Sequence, residues 1–323
     1  MKSILVAVLA SSIFIVLAFS LSGFRQEENS VALPQEAASL GEKLFFDAIL
    51  SKDRSVSCAS CHKREFAFAD NVPFSSGIDG KPTKRNAPSA MNLAGRLQLF
   101  WDGRVSSLEE QSLKPIASVD EMNLPITEAV DRLRKDDYYS KAFRIVFKAD
   151  PSAELLAKAL AEFERTLETT NTPYDRFIDG DENAMSESAI RGRLLFIGKA
   201  NCANCHAGDD FTADRFKNIG LYNGRDLNDA GRFEITKDSS HLGHFRIPGL
   251  RNVAVTAPYM HNGMFGSLRE VLDYYNHPDK LVQGAIHRDL SLSTPLNLSE
   301  QEITDIEAFL LALTDDQFLK NKN

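Results

Sequence analysis

Two short segments hold all four cysteines of the 323-residue chain, and both have the pattern C-x-x-C-H. The residues of the two copies are Cys58, Cys61 and His62 in the first, and Cys202, Cys205 and His206 in the second. This pattern is the attachment motif of c-type haem, in which two thiols bond the porphyrin and the histidine binds its iron. Neither a zinc site nor a redox-active thiol pair needs a histidine directly after each second cysteine. The sequence therefore predicts two covalently bound haem c groups.

The N-terminal segment is apolar from residue 4 to residue 21 and turns polar soon afterwards. Such a run is typical of a secretory signal, and it is also about the minimum length of a membrane span. We therefore interpret residues 1–25 as a signal peptide or as an uncleaved anchor that tethers the protein to a membrane. In either case the rest of the chain is expected in the periplasm, because bacteria attach haem to exported apoproteins.

The overall composition is that of an ordinary globular protein, with 43% hydrophobic and 25% charged residues. The net charge is −8 and no basic cluster occurs in the sequence, which argues against nucleic acid as a partner. About 300 residues follow the N-terminal segment, and this length is enough for two domains.

The haem motifs divide the chain into two similar halves. Residues 39–47 and 189–202, which lead into the two motifs, each carry a glycine before a pair of apolar residues. Farther on, apolar residues at helical spacing predict another helix in each half, over 152–168 and 299–315. The second of these helices begins with a capping box. Strand-like alternation is scarce throughout the sequence.

We therefore predict an all-α fold of two loop-rich cytochrome c-like lobes that are related as an internal repeat, with little strand. The polar segment TTNTPYDRFIDGDENAMS (169–186) is predicted to separate them. The expected domains are residues 26–172 and residues 173–323, and each is expected to wrap around one haem.

Five further blocks of sequence resemble the bacterial di-haem cytochrome c peroxidase family, which includes MauG, the maturation enzyme of methylamine dehydrogenase. The blocks are RNAPSAMN (85–92), FWDGRVSSLEEQ (100–111), DEMN (120–123), FRIPGLRNVAVTAPYMHNG (245–263) and SLREVLDYYN (267–276). The resemblance spans residues 35–315 and implies a peroxidatic haem in the first lobe and an electron-transfer haem in the second. The implied reaction is the reduction of hydrogen peroxide to water, with electrons from a small cytochrome c or cupredoxin.

A peroxidase needs one iron with an open or displaceable position and a proton acceptor beside it, so that the O–O bond breaks heterolytically. The resemblance implies that Glu121 is this acid–base residue and that Gln111 is its hydrogen-bonding companion. It also places Trp101, the only tryptophan of the chain, between the two haems, where it assists electron transfer. An indole packed between porphyrins is also a core residue, so the structural and functional roles of Trp101 are compatible.

The segment between His62 and Trp101 contains no histidine. Family members that rest with a blocked peroxidatic iron carry a histidine in this loop. Pro115 lies in the segment expected on the distal side of the first haem, at a position that matches MauG. We therefore expect a five-coordinate first haem that needs no reductive activation.

The peroxidases of the family supply a methionine as second axial ligand of the electron-transfer haem, which raises its potential. Here the matching position is Tyr275, as in MauG, and Met264 and Met260 are nearby alternatives. A tyrosine ligand lowers the potential and stabilises a more oxidised haem. Peroxide reduction is the expected function, oxidation of a protein or small-molecule substrate in the manner of MauG is the alternative, and a pure electron carrier is less favoured.

The resemblance also implies a calcium ion between the lobes, with Asn86, Thr256 and Pro258 at its ligand positions. A side-chain amide and backbone carbonyls suit calcium, although asparagine and proline also shape ordinary turns. Arg246 and Arg251 are candidates for ion pairs with haem propionates, because a guanidinium offers a two-pronged fork. Since many relatives dimerise, a homodimer is expected as well.

Overall fold

The structure is a computed structural model that describes residues 28–319. Its helices are α1 (Glu28–Phe46), α2 (Leu108–Ala117), α3 (Ile126–Lys135), α4 (Asp137–Phe147), α5 (Ala153–Arg165), α6 (Pro173–Ile178), α7 (Glu187–Ile197), α8 (Phe233–Thr236), α9 (Leu268–Asn276), α10 (Pro278–Leu281), α11 (Glu300–Leu311) and α12 (Asp316–Leu319). Two short strands, β1 (Phe216–Lys217) and β2 (Phe245–Arg246), pair antiparallel. Loops and short 3₁₀ turns join these elements. The predicted all-α, loop-rich fold with little strand is confirmed.

The predicted signal peptide or anchor, residues 1–25, lies outside the described residues. Among the helices that the structure describes, none is long and apolar enough to cross a membrane.

In each half of the chain, the helix before the haem motif packs against a later helix at a glycine. α1 packs on α5, and α7 packs on α11. A Cβ atom on Gly41 would lie 1.9 Å from the carbonyl oxygen of Ala159 in α5. On Gly192 it would lie 1.8 Å from the carbonyl oxygen of Asp305 in α11. Because only glycine has no Cβ, it alone permits this approach, and the repeated glycine sets the same helix contact in both lobes.

Serine caps fix where the two helices predicted from apolar periodicity begin. α5 starts after Ser152, whose hydroxyl accepts a hydrogen bond from the N–H of Leu155. α11 starts after Ser299, which forms the predicted capping box with Glu302. Such caps satisfy backbone N–H groups that have no partner inside the helix and are each worth about 1 kcal/mol.

Apolar side chains collect in two main clusters, one built mostly from the first half of the chain with Val255 and Phe318 added, and one from the second half. In the first, the rings of Phe45 in α1 and Phe163 in α5 are 5.1 Å apart. In the second, the rings of Phe196 in α7 and Phe309 in α11 are 5.2 Å apart. The two helix pairs therefore close around equivalent aromatic contacts. The exact domain division at residues 172 and 173 stays a prediction.

Candidate haem-binding sites

The two C-x-x-C-H motifs have the same local backbone structure, a 3₁₀ turn that starts at the first cysteine. In the first motif the N–H of His62 donates to the carbonyl of Cys58 at 2.9 Å. In the second the N–H of His206 donates to the carbonyl of Cys202 at 2.8 Å. All four cysteines are free thiols. Both thiol pairs are therefore available to bond a porphyrin.

A backbone carbonyl orients the imidazole of each motif histidine. Nδ1 of His62 lies 2.8 Å from the carbonyl oxygen of Phe68, and Nδ1 of His206 lies 3.0 Å from that of Phe211. Burial lowers the pKa of both imidazoles, so they are neutral and Nδ1 donates to the carbonyl. Nε2 then carries the lone pair that an iron ligand needs. This arrangement fits the predicted role of both histidines as proximal ligands.

A cavity opens against the second motif, and its lining suits a porphyrin. Cys202, Cys205 and His206 form part of its wall, and aliphatic side chains such as Leu272 and Leu310 form much of the rest. Two thiols, a neutral imidazole and an apolar wall are the donor set and the surroundings that haem c requires. The residues of this site therefore fit the predicted second haem.

The structure separates the three candidates for the second axial ligand of this haem. Tyr275 and Met260 line the cavity, whereas Met264 is 38% exposed and lies outside the lining. Burial raises the pKa of the Tyr275 phenol, so ligation as a phenolate depends on the positive charge of the iron. Tyr275 and Met260 are therefore the better placed candidates, and the identity of the ligand stays a prediction.

Arg246 and Arg251 both line the cavity but differ in their partners. Arg246 is 8% exposed, and its closest carboxylate oxygen, on Asp214, is 3.9 Å away. Burial lowers the pKa of this guanidinium to about 10, because the charged form loses its hydration and gains no close anion in return. Arg251 already has Asp175 at 3.0 Å and Asp210 at 3.3 Å. Of the two arginines predicted to pair with haem propionates, Arg246 is therefore the one whose positive charge has no close carboxylate.

Glu121 lies beside the first haem motif. Its carbonyl accepts a hydrogen bond from the N–H of Ile78 at 2.8 Å, which fixes the backbone at this position. Burial is the main cause that raises the pKa of the motif thiols Cys58 and Cys61, and the nearby charge of Glu121 adds to it. Burial also raises the pKa of Glu121 itself, against the effect of Arg104. A half-buried carboxyl with a raised pKa is suited to proton transfer near the first haem motif.

Gln111 and Pro115 are both part of α2, the helix before Glu121. The N–H of Met122 donates to the carbonyl of Pro115 at 3.2 Å, so the last turn of α2 lies next to the Glu121 segment. No hydrogen bond joins the side chains of Gln111 and Glu121 in the part of the chain that the structure describes. The predicted cooperation of Gln111 with Glu121 stays a prediction.

Residues 99–117 and 259–277 are two copies of one structural unit, each a short β-bridge followed by a serine-capped helix. The matched pairs are Leu99 and Tyr259, Trp101 and His261, Val105 and Phe265, Ser107 and Ser267, and Pro115 and Tyr275. Proline has no side-chain atom that binds iron. If Tyr275 faces the second iron, the equivalent position in the first lobe is therefore occupied by a residue that cannot bind the first iron.

Trp101 is part of an aromatic cluster at the cavity of the second motif. Its indole N–H donates to the carbonyl of Asn86 at 2.9 Å, and its ring packs edge-on against His261 with centroids 6.5 Å apart. His261 stacks on Phe245 at 3.7 Å, and burial lowers the pKa of the imidazole to about 4. The rings of the cluster are thus uncharged, and they come from both halves of the chain. This position is compatible with the electron-transfer role predicted for Trp101.

The three predicted calcium ligands, Asn86, Thr256 and Pro258, line this same cavity. Asn86 is 5% exposed, and its side-chain N–H donates to the carbonyl of Val72 at 3.1 Å, which leaves its Oδ1 atom for another partner. Within residues 28–319 no group of three or more His, Cys, Asp and Glu side chains forms a metal site. A cation here would therefore be held by neutral oxygens, which calcium accepts. The calcium ion stays a prediction.

Two C-x-x-C-H sites in two similar helical lobes define a di-haem c-type cytochrome. A sequence model described as di-haem cytochrome c peroxidase matches residues 35–183. The chain belongs to the di-haem cytochrome c peroxidase family, which also includes MauG proteins. Two haem c groups are the cofactors of this family, so the prediction of two haems is confirmed at the level of the family.

Proteins similar to this chain include both MauG proteins and cytochrome c peroxidases. MauG of Methylorubrum extorquens is 40% identical over 286 residues, which cover 87% of this chain and 79% of that protein. Cytochrome-c peroxidase IdrP1 of a Pseudomonas species is 34% identical over 311 residues, with 86% and 81% covered. The crystal structure of a MauG-like protein associated with microbial copper homeostasis matches with a TM-score of 0.79 and 32% identity, over 89% of this chain and 92% of that one. Family membership alone therefore does not decide between the two reactions.

Proposed function

We propose that this protein is a di-haem c-type peroxidase that reduces hydrogen peroxide to water at its first haem. The observation that carries the proposal is Glu121, a half-buried carboxyl with a raised pKa beside the first C-x-x-C-H motif. The neighbouring turn of α2 contains Pro115, which offers the iron no ligand. Relatives named cytochrome-c peroxidase support the same reaction.

A haem held by Cys58, Cys61 and His62 would supply a redox-active iron for the reduction of peroxide. Glu121, as a carboxylate, accepts a proton from one peroxide oxygen and returns it to the other, so that water leaves. Gln111 on α2 is the hydrogen-bonding companion of Glu121 and helps to hold that carboxylate in a reactive orientation. Because one residue both accepts and returns the proton, the leaving oxygen departs as water and not as a hydroxide ion.

A haem held at Cys202, Cys205 and His206 would supply an entry point for electrons from a small cytochrome c or cupredoxin, and Trp101 would assist electron transfer between the two haem sites. Arg246 binds a propionate of the second haem, and Asn86, Thr256 and Pro258 hold a calcium ion between the lobes. We place the mature protein in the periplasm, either free or tethered through residues 1–25, and we expect a homodimer.

Tyr275 favours a second candidate function, the oxidation of a protein or small-molecule substrate with hydrogen peroxide as oxidant. The residue lines the second haem cavity, where an oxygen ligand would favour the oxidised iron. The 40% identity to MauG points in the same direction. A pure electron carrier is less favoured, because it has no need for a half-buried carboxyl with a raised pKa such as Glu121.

EPR spectra of the resting ferric protein test both functions, with Tyr275→Met beside the wild type. We expect one high-spin signal from the first haem and one low-spin signal from the second. If Tyr275 binds the second iron, the low-spin signal shifts in the variant, because a thioether replaces an oxygen ligand. The oxidation of a protein or small-molecule substrate is then as well supported as the reduction of peroxide with electrons from a donor protein.

Tyr274→Phe is the matched control for this experiment. Tyr274 precedes Tyr275 in α9 and is fully buried, but its hydroxyl donates to the carbonyl of Ile219 at 2.5 Å. Its replacement is expected to leave both signals unchanged. Two low-spin signals in the wild type would contradict the open first iron, and a carrier or a peroxidase that needs prior reduction would then be the better account.

A further inference from the structure

Glu164 is a buried carboxylic acid for which the proposed reaction has no use. It lies near the end of α5, is 6% exposed, and its Oε2 atom has no hydrogen-bond partner among the described residues. A carboxylate in such surroundings is strongly disfavoured unless it is paired. Burial accordingly raises the pKa of Glu164 to about 8, so the side chain is neutral at pH 7.

The first haem motif lies next to this carboxyl. After burial, the charge of Glu164 is the largest influence that raises the pKa of Cys58, one of the two thiols that bond the first haem. The preceding residue, Phe163, packs at 5.1 Å against Phe45, whose ring is 6.2 Å from that of His62. Glu164 therefore follows a residue of the same apolar cluster against which Cys58 packs, and it lies on the helix that closes over the first haem motif.

Two charged groups act on Glu164 from its own helix and from α2. Arg165 favours its ionised form, whereas Glu109 opposes it. Arg165 and Glu109 pair with each other at 2.6 Å, and their side chains are 36% and 37% exposed. Cys58 does not titrate once it is a thioether. The Arg165–Glu109 pair thus places two charged, partly exposed side chains in the neighbourhood of Glu164.

We infer that Glu164 is a redox-coupled acid of the first haem, which keeps its proton while the iron is reduced and releases it when the iron is oxidised. The extra positive charge of oxidised iron attracts the carboxylate across a low-dielectric interior, and the carboxylate in turn stabilises oxidised iron. In the pH range between the pKa of Glu164 with oxidised iron and its pKa with reduced iron, each electron that passes to an oxidant, which is hydrogen peroxide in the proposed reaction, is accompanied by one proton that passes from Glu164 to water. The inference rests on haem attachment at Cys58 and on no particular donor or substrate.

The test is a spectroelectrochemical titration of the first haem in the full di-haem protein, from about pH 6 to about pH 10, with Glu164→Gln beside the wild type. In the wild type, the midpoint potential is expected to fall as pH rises through the pKa of Glu164, about 8, and to level off on both sides. Glutamine cannot ionise, so the variant loses this slope and keeps the potential that the wild type has at low pH. Equal slopes in both proteins would overturn the inference.

Two control variants separate Glu164 from the other acids nearby. Glu109→Gln and Glu121→Gln are both expected to retain the slope of midpoint potential against pH near the pKa of Glu164. Loss of the slope in one of these variants would assign the coupled proton to the residue that was replaced. If Glu164→Gln fails to assemble with haem, infrared difference spectra of the wild type replace the titration. Oxidation of the first haem must then remove the C=O band of a neutral carboxylic acid, and an unchanged band would overturn the inference. Neither measurement depends on peroxide turnover, so both results can be interpreted even if the protein does not reduce peroxide.

Discussion

Replacing Glu121 with glutamine is expected to lower kcat/KM for hydrogen peroxide by about 10²- to 10⁴-fold, the usual contribution of a positioned acid–base group. Glutamine keeps the size of the side chain but cannot accept the peroxide proton. Both haems should stay attached, because residue 121 belongs to neither C-x-x-C-H motif. The measurement is steady-state peroxide reduction with a reduced small cytochrome c as donor, normalised to haem content.

The pH dependence of this rate should also change. Burial raises the pKa of Glu121 above the ordinary glutamate value of 4.5, although Arg104 opposes the shift. Since the carboxylate is the form that accepts the proton, kcat/KM of the wild type falls as pH drops through the raised pKa. Glu121→Gln has no such group, so the acidic limb should disappear from its profile.

Asp120→Asn is the matched control, because it removes the neighbouring carboxylate. Asp120 is partly exposed and pairs with Lys84 at 3.7 Å, and a screened surface pair contributes little. The rate of this variant should stay close to that of the wild type. A loss as large as that of Glu121→Gln would mean that general electrostatics, and not proton transfer by Glu121, accounts for the effect.

The sequence predicts the haem sites well because covalent attachment imposes a fixed spacing on residue types. Cys58, Cys61 and His62 are recognisable without knowledge of the fold, and so is the second motif. The helices over 152–168 and 299–315 were also predictable, since one apolar stripe and one serine cap define each of them. Local rules of this kind hold when each element buries a single face.

The match between residues 99–117 and 259–277 was present in the sequence but was not predicted. Few identities remain, chiefly a glycine after Asp102 or Asn262 and the serine-capped start of the following helix. The two copies serve different haems, so the residues that matter most differ between them. Structure recovers the relation because both copies retain the same bridge and the same cap.

The partners of charged side chains could not be predicted from the sequence. Arg246 and Arg251 have the same residue type and lie five positions apart, yet only Arg251 has close carboxylates. Glu164 follows Phe163 in an ordinary amphipathic helix, and nothing in the pattern distinguishes it from an exposed glutamate. Whether a charge is paired or buried depends on residues distant in the chain, and no local signal reports it.

Replacing Gly192 with alanine is expected to destabilise the second lobe by a net amount of about 2 kcal/mol. The new Cβ would overlap the carbonyl oxygen of Asp305, 1.8 Å away, and backbone atoms cannot rotate aside as a side chain can. Overpacking of this kind costs about 3 kcal/mol at the upper end of its usual range. Alanine is the better helix former by about 1 kcal/mol, which offsets part of that cost. Calorimetry of the haem-loaded protein should therefore show a midpoint lower by about 4–8 °C.

Gly266→Ala is the control that separates helix contact from the general effect of the substitution. A Cβ atom on Gly266 would lie 3.6 Å from its nearest neighbour, Oε2 of Glu270, which is ordinary van der Waals contact. The melting temperature of this variant should stay near that of the wild type. Gly41→Ala, which meets the carbonyl of Ala159 at 1.9 Å, should reproduce the loss in the first lobe. If Gly192→Ala and Gly266→Ala were equally stable, the close helix contact could not be what requires glycine in both halves of the repeat.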